Sequence, residues 1–397
     1  MTLKLAIAVK TYPDPTQTPA TEHIAKLFGG ESVVLCRARH PELPGTRPAF
    51  CLADHRPGPA LRLADHLAAP FEHGRNFLRN HNTHPPTGSR RRALEGFLRA
   101  QGVEAILAEF GTEASFWFPT ARKLGLPFHV YFRGHDATAY LETPRRAPRR
   151  IRSYRAMVGA ADGIFAVSQF LLDQLAARGI TNPNAHVVPS GVDMARLRPA
   201  PKEPGLVIAA GRFIDKKAPE ITVRAFVEAA RAHPGARLEM IGDGPLLAPC
   251  QALARELGAE GKVIFHGHRP HGFVEERLRA APLFLQHSVI APDGNQEGAP
   301  VAIQEAMAAG ACVISTRHAG IPHLVEEGVS GFLVDEHDAA GFAGHARAML
   351  DDPARAARMG QAGHAHAARE FDRAALYRRV EAVLRASVAR RAGRPAG

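Results

Sequence analysis

The sequence contains few of the residues that define disulfide-rich, membrane-spanning or single-strand-binding proteins. Its 397 residues include four cysteines, and no two of them form a C-x-x-C pair, so we expect reduced cysteines and no disulfide framework. No apolar run approaches about 18 residues, which argues against a transmembrane helix. With one tryptophan and five tyrosines, the basic stretches lack interleaved aromatics, which argues against nucleic acid as a partner.

Metal-binding patterns and targeting signals are equally scarce. No clear D-x-D ends a strand-like run, and the histidine pairs His81/His84 and His364/His366 lack the context of a metal site. We predict surface histidines and no bound metal. The short apolar run at residues 3–9 has no small-residue cleavage site behind it, so it predicts a buried strand rather than a signal peptide.

The length and the pattern of apolar runs predict two α/β domains. A chain of this size exceeds the usual single domain, and both halves alternate short β-rich runs with helix-like stretches, which is typical of parallel sheets covered by helices. The proline-rich segment 189–205 marks the break between the halves. Residues 56–92, in which His, Pro and Arg cluster, are predicted to form a loop-rich insertion.

The positive charge lies almost wholly in the first half. Residues 1–200 hold 26 Lys and Arg against 16 Asp and Glu, whereas residues 201–397 hold 24 against 23. A basic face can meet anionic lipid, nucleic acid or a phosphorylated substrate. The alternative is a merely solvated basic surface.

The segment QEGAPVAIQEAMAAG places two carboxylates around the start of a buried helix, whose first turn suits Pro300. Glu305 lies inside the apolar helix, where an ionised carboxylate needs several hydrogen-bond donors, and the hydroxyl pair of a ribose would supply them. Glu297 could accept from a second sugar ring, and the free N–H groups between the two suit a pyrophosphate. A nucleotide sugar has this order of parts. The alternative is one helix-capping Glu and one Glu paired with Arg.

Two cations follow the strand-like run LVIAA in the segment GRFIDKKAPE. Ligands of open α/β folds bind at the carboxyl ends of the strands. There Arg212 can grip phosphate oxygens through its forked guanidinium, and Lys217 can add a point charge. Together they would stabilise a leaving nucleoside diphosphate. A solvated loop is the alternative.

Three segments resemble the signature of the retaining glycosyltransferases called family 4, which have the GT-B fold. They are GRFIDKKAPE, IGDGPLL and EGAPVAIQEAMAAGACVISTRHAGIPHLVEEGVSGFLV. Glu297 and Glu305 match the E-x7-E motif of that family, and the likeness runs from about residue 104 to the C-terminus. APDGNQEGAP, TRHAGIP and GTEASFWFPTARKLGLPF are most similar to enzymes that build bacterial colanic-acid-type exopolysaccharide.

The resemblance implies a GT-B fold with two Rossmann-like domains facing across a cleft. Residues 1–195 would form the acceptor-side domain and residues 196–370 the nucleotide-sugar-binding domain. Residues 371–397 would form a helix that returns to the first domain, followed by a basic tail. The implied activity is hexosyl transfer from a nucleotide-diphosphate sugar with retained configuration, without a metal or other cofactor.

The resemblance also implies residue roles. Arg212 and Lys217 would hold the donor diphosphate, Glu305 the ribose and Glu297 the transferred sugar. The other donor-binding residues that it implies are Gly211, His268, Gly298, Ala299, Pro300 and Val301.

In the first half, YFRGHDATAY departs from the family pattern H-G-x-D. Arg133 stands where relatives have the histidine that contacts the transferred sugar, and His135 stands at the variable position. Either could take that catalytic role. Asp136 keeps its place and is assigned to donor binding.

The predicted acceptor is an oligosaccharide linked to polyprenyl diphosphate, in exopolysaccharide or cell-surface glycan synthesis. The scattered cysteines predict a cytoplasmic protein, and the basic first half adds the expectation of peripheral contact with an anionic membrane at its inner face. Two alternatives stay open, namely a nucleotide-sugar epimerase of GT-B fold and a non-catalytic nucleotide-sugar-binding protein.

Overall fold

The computed structural model describes residues 3–14, 17–81 and 85–393, so His84 and the last four residues of the predicted basic tail lie outside the described residues. The chain divides into two compact units. Unit 1 comprises Met1–Val167, Leu171–Val188 and Tyr377–Gly397, and unit 2 comprises Ser168–Phe170 and Pro189–Leu376.

The strands and helices are numbered in chain order. In the first half the strands are β1 (Leu5–Tyr12), β2 (Val33–Arg39), β3 (Ala49–Cys51), β4 (Ala105–Glu109), β5 (Phe128–Phe132), β6 (Gly163–Ala166) and β7 (Ala185–Val187). The helices there are α1 (Thr18–Lys26), α2 (Pro59–Asn80), α3 (Gly88–Ala100), α4 (Gly111–Leu124), α5 (Ala139–Glu142), α6 (Ala147–Ala160) and α7 (Gln169–Ala176).

The second half continues the same alternation. Its strands are β8 (Leu206–Ala210), β9 (Arg237–Ile241), β10 (Val263–Gly267), β11 (Leu283–Leu285), β12 (Cys312–Thr316) and β13 (Gly331–Val334). Its helices are α8 (Pro219–Ala229), α9 (Leu247–Glu256), α10 (His271–Ala280), α11 (Val301–Ala308), α12 (Ala339–Asp351), α13 (Pro353–Glu370) and α14 (Arg373–Ala392).

Each unit is built on one parallel sheet. The strand orders are β3-β2-β1-β4-β5-β6-β7 in unit 1 and β10-β9-β8-β11-β12-β13 in unit 2. Strands such as AILAE and FHVYF are buried along their whole length, because helices cover both faces of a parallel sheet. Both orders are those of the Rossmann fold, which reverses direction beside its first strand. The predicted pair of Rossmann-like α/β domains is confirmed.

The predicted loop-rich insertion over residues 56–92 is wrong, because most of it is helical. Helix α2 begins at Pro59, where a proline costs no intrahelical hydrogen bond, and the Ala, Leu and Arg that follow favour a helix. Pro70 is the one proline beyond the first turn of α2, so the helix runs through the stretch in which His, Pro and Arg cluster. Strand β3 was also missed, since three residues are too few to show a period.

Two turns at the carboxyl ends of β8 and β9 pack directly against each other. The N–H of Gly211 donates to the Ile241 carbonyl (2.9 Å), and the N–H of Phe213 donates to the Asp243 carbonyl (2.9 Å). Gly242 has a φ of +143°, and a Cβ there would overlap the carbonyl oxygen of Gly211. The GRF turn therefore has a fixed position against the IGDG turn.

We expect Gly242→Ala to lower the free energy of unfolding of unit 2 by about 2 kcal/mol or more, because its backbone angle and the overlap with Gly211 both disfavour a side chain. Gly261→Ala is the matched control, since a Cβ there meets nothing within 4 Å, and it should cost less than about 0.5 kcal/mol. Urea unfolding followed by circular dichroism measures both. Equal losses for the two variants would contradict the packing of these turns.

Candidate functional site

The predicted donor residues of unit 2 follow the carboxyl ends of strands in one sheet. Arg212 follows β8, His268 follows β10, and Glu297 lies between β11 and helix α11. Because all strands of this sheet run parallel, these loops share one edge, and β8 and β11 flank the point where the strand order reverses. Ligands of doubly wound folds bind at this point.

Glu297 is held by two lysines. Its side chain is 8% exposed, with Oε1 2.9 Å from Lys217 Nζ and Oε2 3.5 Å from Lys216 Nζ. Burial raises the pKa of Glu297, but Lys217 and Lys216 outweigh it and hold the pKa at about 2. The carboxylate is therefore ionised at neutral pH. Lys216 was missed in the sequence, where only its position beside Lys217 could have indicated it.

The loop that follows β12 also holds the backbone of Glu297 in place. The Glu297 N–H donates to His318 Nε2 (3.1 Å), and His318 Nδ1 lies 2.7 Å from a Glu336 carboxylate oxygen. His318 therefore carries its proton on Nδ1, and this N–H donates a hydrogen bond to Glu336. A Cβ on Gly320 would overlap the carbonyl oxygen of Gly298. His318 was also missed, although it lies in the TRHAGIP motif.

The start of helix α11 offers backbone donors. Within residues 3–14, 17–81 and 85–393, the N–H groups of Gly298, Ala299 and Val301 have no acceptor. The Ala299 carbonyl accepts from the Gln304 side-chain amide (3.1 Å), which fixes the turn before the helix. Unpaired N–H groups at a helix start favour an anion.

Glu305 lies one turn inside the same helix and is also buried, with 7% of the residue exposed. Burial raises its pKa to about 7, Arg373 opposes the rise and Glu275 adds to it. In the described part of the chain no N–H or hydroxyl donates to this carboxylate, and its ion-pair contact is with His271 Nε2 at 3.6 Å. A buried carboxylate with so few donors suits a ligand that carries hydroxyl groups.

The remaining predicted residues of unit 2 surround these groups. Gly211, Arg212 and Lys217 line one pocket. Arg212 is exposed, and no described carboxylate pairs with it. His268 is exposed as well, and Pro300 directly precedes α11. Among the described residues, no three His, Cys, Asp or Glu side chains cluster in a way that could hold a metal ion.

In unit 1, Arg133 forms an ion pair with the buried carboxylate of Glu109. Its Nε lies 2.7 Å from Glu109 Oε2, and His23 Nδ1 lies 2.5 Å from Oε1. The Arg133 side chain is 8% exposed and stacks over the Tyr131 ring at 4.2 Å. Burial raises the pKa of Glu109, but Arg133 and His23 outweigh it and hold the pKa at about 2. Arg133 therefore neutralises a buried charge of its own unit.

Asp136 fixes the loop in which Arg133 and His135 lie. It is 1% exposed and accepts hydrogen bonds from the N–H groups of Gly111 (2.8 Å), Arg133 (3.1 Å) and Gly134 (3.0 Å). Burial raises its pKa, and these donors oppose the rise. His135 alone of the three predicted side chains is exposed. The structure thus leaves His135 open to a ligand and gives Arg133 and Asp136 internal partners.

Two family models match adjoining parts of the chain. The model "Glycosyltransferase Family 4" matches residues 28–196, and the model "Glycosyl transferases group 1" matches residues 195–366. A D-inositol 3-phosphate glycosyltransferase from Catenulispora acidiphila is 31% identical over 293 residues, which are 68% of this chain and 67% of that protein.

Two further relatives are named for polysaccharide synthesis. WcaL of Escherichia coli K12, a candidate colanic acid biosynthesis glycosyltransferase, is 31% identical over 61% of this chain. The amylovoran biosynthesis glycosyltransferase AmsK of Erwinia amylovora is 28% identical over 59% of it. The chain spans 60% of the length of WcaL and 58% of the length of AmsK.

Solved structures share the fold. HepE of Anabaena, crystallised with UDP, matches with a TM-score of 0.75 over 97% of this chain and 100% of HepE, at 16% identity. Sucrose-phosphate synthase of Thermosynechococcus elongatus matches with a TM-score of 0.72 over 98% of this chain and 100% of that one, at 17% identity. At such identities the likeness concerns the fold.

We expect Arg133→Met to destabilise unit 1 by about 3–5 kcal/mol, because it leaves the Glu109 carboxylate buried without its cation. His135→Ala, two residues away and exposed, should stay within about 0.5 kcal/mol of wild type. Denaturant unfolding measures both variants. Adding Glu109→Gln to Arg133→Met should recover part of the loss, and an Arg133→Met variant as stable as His135→Ala would contradict the buried pair.

Proposed function

The chain belongs to the glycosyltransferases of group 1 and family 4, and on that premise we propose that it transfers a hexose from a nucleotide-diphosphate sugar to a glycan acceptor. One observation carries the proposal. A single sheet edge of unit 2 gathers the Lys217–Glu297 pair, the unpaired N–H groups at the start of α11 and the donor-poor carboxylate of Glu305. A diphosphate and a ribose need these groups in this order.

The proposed reaction retains the anomeric configuration. The bond from the sugar's anomeric carbon to the diphosphate oxygen breaks, and the acceptor hydroxyl attacks on the same face. Its proton passes to the leaving phosphate oxygen. Arg212 and Lys217 stabilise the negative charge that develops there, so the proposal assigns this role to side chains and to no metal. Because Glu297 is already paired with two lysines, it is assigned to orienting Lys217 and accepting from a sugar hydroxyl.

The proposed acceptor is an oligosaccharide linked to polyprenyl diphosphate, and the proposed place is the cytoplasmic face of the membrane. The names of WcaL and AmsK support exopolysaccharide as the product class. The excess of basic residues in the first half supports contact with an anionic surface. None of the described helices is both long and apolar enough to cross a membrane.

The donor is best identified by thermal shift with UDP-, GDP- and ADP-sugars. UDP is the first nucleotide to test, since it is the one bound in the HepE crystal. A ligand that binds only the folded state raises the melting temperature. No shift with any nucleotide sugar at millimolar concentration would contradict a donor site in unit 2.

We expect Lys217→Ala and Glu305→Ala each to lower the rate of hexosyl transfer by about 100-fold or more, because each removes a group that holds the donor or its leaving diphosphate. Lys262→Ala and Glu256→Gln, which alter the same residue types elsewhere in unit 2, are the controls. Release of nucleoside diphosphate in the presence of acceptor measures the rate, and circular dichroism checks the fold. Near-normal turnover by either site variant would contradict the assignment of that residue to the donor site.

The pKa of about 7 at Glu305 lies above its ordinary value of 4.5, so stability should fall as the pH rises from about 4.5 through 7 while the buried carboxyl ionises. Glu305→Gln should remove this loss and be the more stable protein at pH 8, by up to about 3 kcal/mol. Donor affinity should show the opposite trend, since only the ionised carboxylate accepts from both ribose hydroxyls. Urea unfolding and calorimetric titration across this range test both trends, and identical pH profiles for wild type and variant would refute them.

A further inference from the structure

Helix α2 faces the wrong way for a helix of a water-soluble domain. Its buried residues are Asn76 and Asn80, whereas one side of the helix exposes large apolar side chains. These are Leu63 (63% exposed), Leu67 (66%), Phe71 (82%) and Leu78 (79%). An amphipathic surface helix normally turns its apolar stripe to the core and its polar side to water.

The polar side of α2 is tied to the start of helix α3. An Asp65 carboxylate oxygen accepts from the Ser89 N–H (2.8 Å), and a Glu72 oxygen accepts from the Gly88 N–H (2.8 Å). Glu72 also pairs with Arg91 at 3.0 Å. Carboxylates favour the first turn of a helix, where N–H groups lack partners. These bonds fix the rotation of α2 and so keep its apolar stripe turned outward.

The exposed apolar residues are concentrated on this one helix. Of ten large hydrophobic side chains that are exposed in the described residues, six belong to α2. Leu63, Leu67 and Phe71 follow at four-residue spacing and so share one face. A contiguous apolar patch of this kind marks an interaction surface, unlike scattered single residues.

Unpaired positive charge borders the stripe. Arg75 and Arg79 of the same helix are exposed, and no carboxylate in the described ranges pairs with either. The two acidic residues of α2, Asp65 and Glu72, both face inward. The outward side of the helix is therefore apolar and basic.

A basic cavity opens at the C-terminal end of the helix. His81, the residue that caps α2, lines it together with Arg145, Arg146 and Arg149 at the start of α6. These three arginines are exposed and, within the part of the chain described, none has an acidic partner. The cavity measures about 460 Å³, which is ample for a phosphate head group.

We propose that helix α2 lies in the interface of an anionic phospholipid bilayer, with its apolar stripe among the acyl chains and the neighbouring arginines on lipid phosphates. Interfacial helices combine leucine and phenylalanine on one side with basic residues beside them. A second copy of the chain fits less well, because joining two such faces would bring arginines of like charge together. An anionic bilayer supplies both the apolar depth and the opposite charge. This placement would bring the enzyme to a lipid-linked acceptor, and to that extent it rests on the proposed function.

Co-sedimentation of the full chain with vesicles tests the surface. The vesicles are phosphatidylcholine with or without phosphatidylglycerol, at roughly 0.1 M and 1 M NaCl. Wild type should bind the anionic vesicles and keep part of that binding at high salt, because burial of the stripe is not screened. Phe71→Gln/Leu78→Gln should weaken binding at least about tenfold at both salt concentrations. Arg145→Gln/Arg149→Gln should weaken it at low salt only.

The matched control is Leu43→Gln/Val329→Gln, which replaces two apolar side chains that are exposed elsewhere and should bind as wild type does. Wild-type-like binding by Phe71→Gln/Leu78→Gln, or no binding by wild type, would overturn the proposal. A change in solution mass caused by that double variant, with vesicle binding unchanged, would instead identify a second copy as the occupant.

Measuring the binding of the nucleotide sugar distinguishes a failure of the proposed membrane surface from a failure of the proposed function. Phe71→Gln/Leu78→Gln should keep the melting-temperature shift caused by the nucleotide sugar, since the substituted residues lie outside unit 2. Loss of vesicle binding with that shift intact supports the docking surface. Absence of any nucleotide-sugar shift in wild type would count against the proposed function and leave the vesicle result unaffected.

Discussion

The ion pair between Lys217 and Glu297 joins the loop after β8 to the loop after β11, and the candidate donor site depends on it. Both side chains are mostly buried. Separating a buried pair is costly because each charge would stay buried without its partner. The pair therefore fixes the position of the turn that contains Arg212 relative to the N–H groups at the start of α11. His318 fixes the same segment from a third loop. Three loops are thus linked to one another at one edge of the sheet, as a preorganised anion site requires.

Glu109 in unit 1 and Glu305 in unit 2 are buried carboxylates with opposite pKa shifts. Glu109 in unit 1 is saturated by Arg133 and His23, and its low pKa reflects full compensation. Glu305 in unit 2 is also buried but has almost no donors, and its pKa is raised to about 7. A compensated buried charge is tolerated in the fold because its partners offset the cost of desolvation. An uncompensated one costs stability and becomes favourable only when a ligand supplies hydrogen bonds. Between these two residues the difference lies in the number of partners, because both carboxylates are buried.

The sequence could predict the fold and the motif residues of unit 2, because apolar strand runs and the E-x7-E spacing are local patterns. It could not show that Glu109, 24 residues before Arg133, neutralises that arginine, since the contact arises from the pairing of β4 with β5. Nor could it show that Lys216 shares Glu297 with Lys217. The sequence could not predict the orientation of α2 for another reason. Amphipathic patterning predicts that the apolar side of a helix faces inward. In α2 the polar side faces inward instead, because its carboxylates accept hydrogen bonds from the N–H groups at the start of α3.

Helix α2 is fastened to its unit by carboxylates, whereas most helices are fastened by packed apolar side chains. A Ser89 hydroxyl bond chiefly lowers the pKa of Asp65, so this fastening is strongest above the ordinary pKa of an aspartate and is released by acid. Apolar packing is also what binds an element into the cooperative core. The outward position of the apolar stripe therefore rests on hydrogen bonds to carboxylates rather than on apolar packing, and it depends on pH through Asp65.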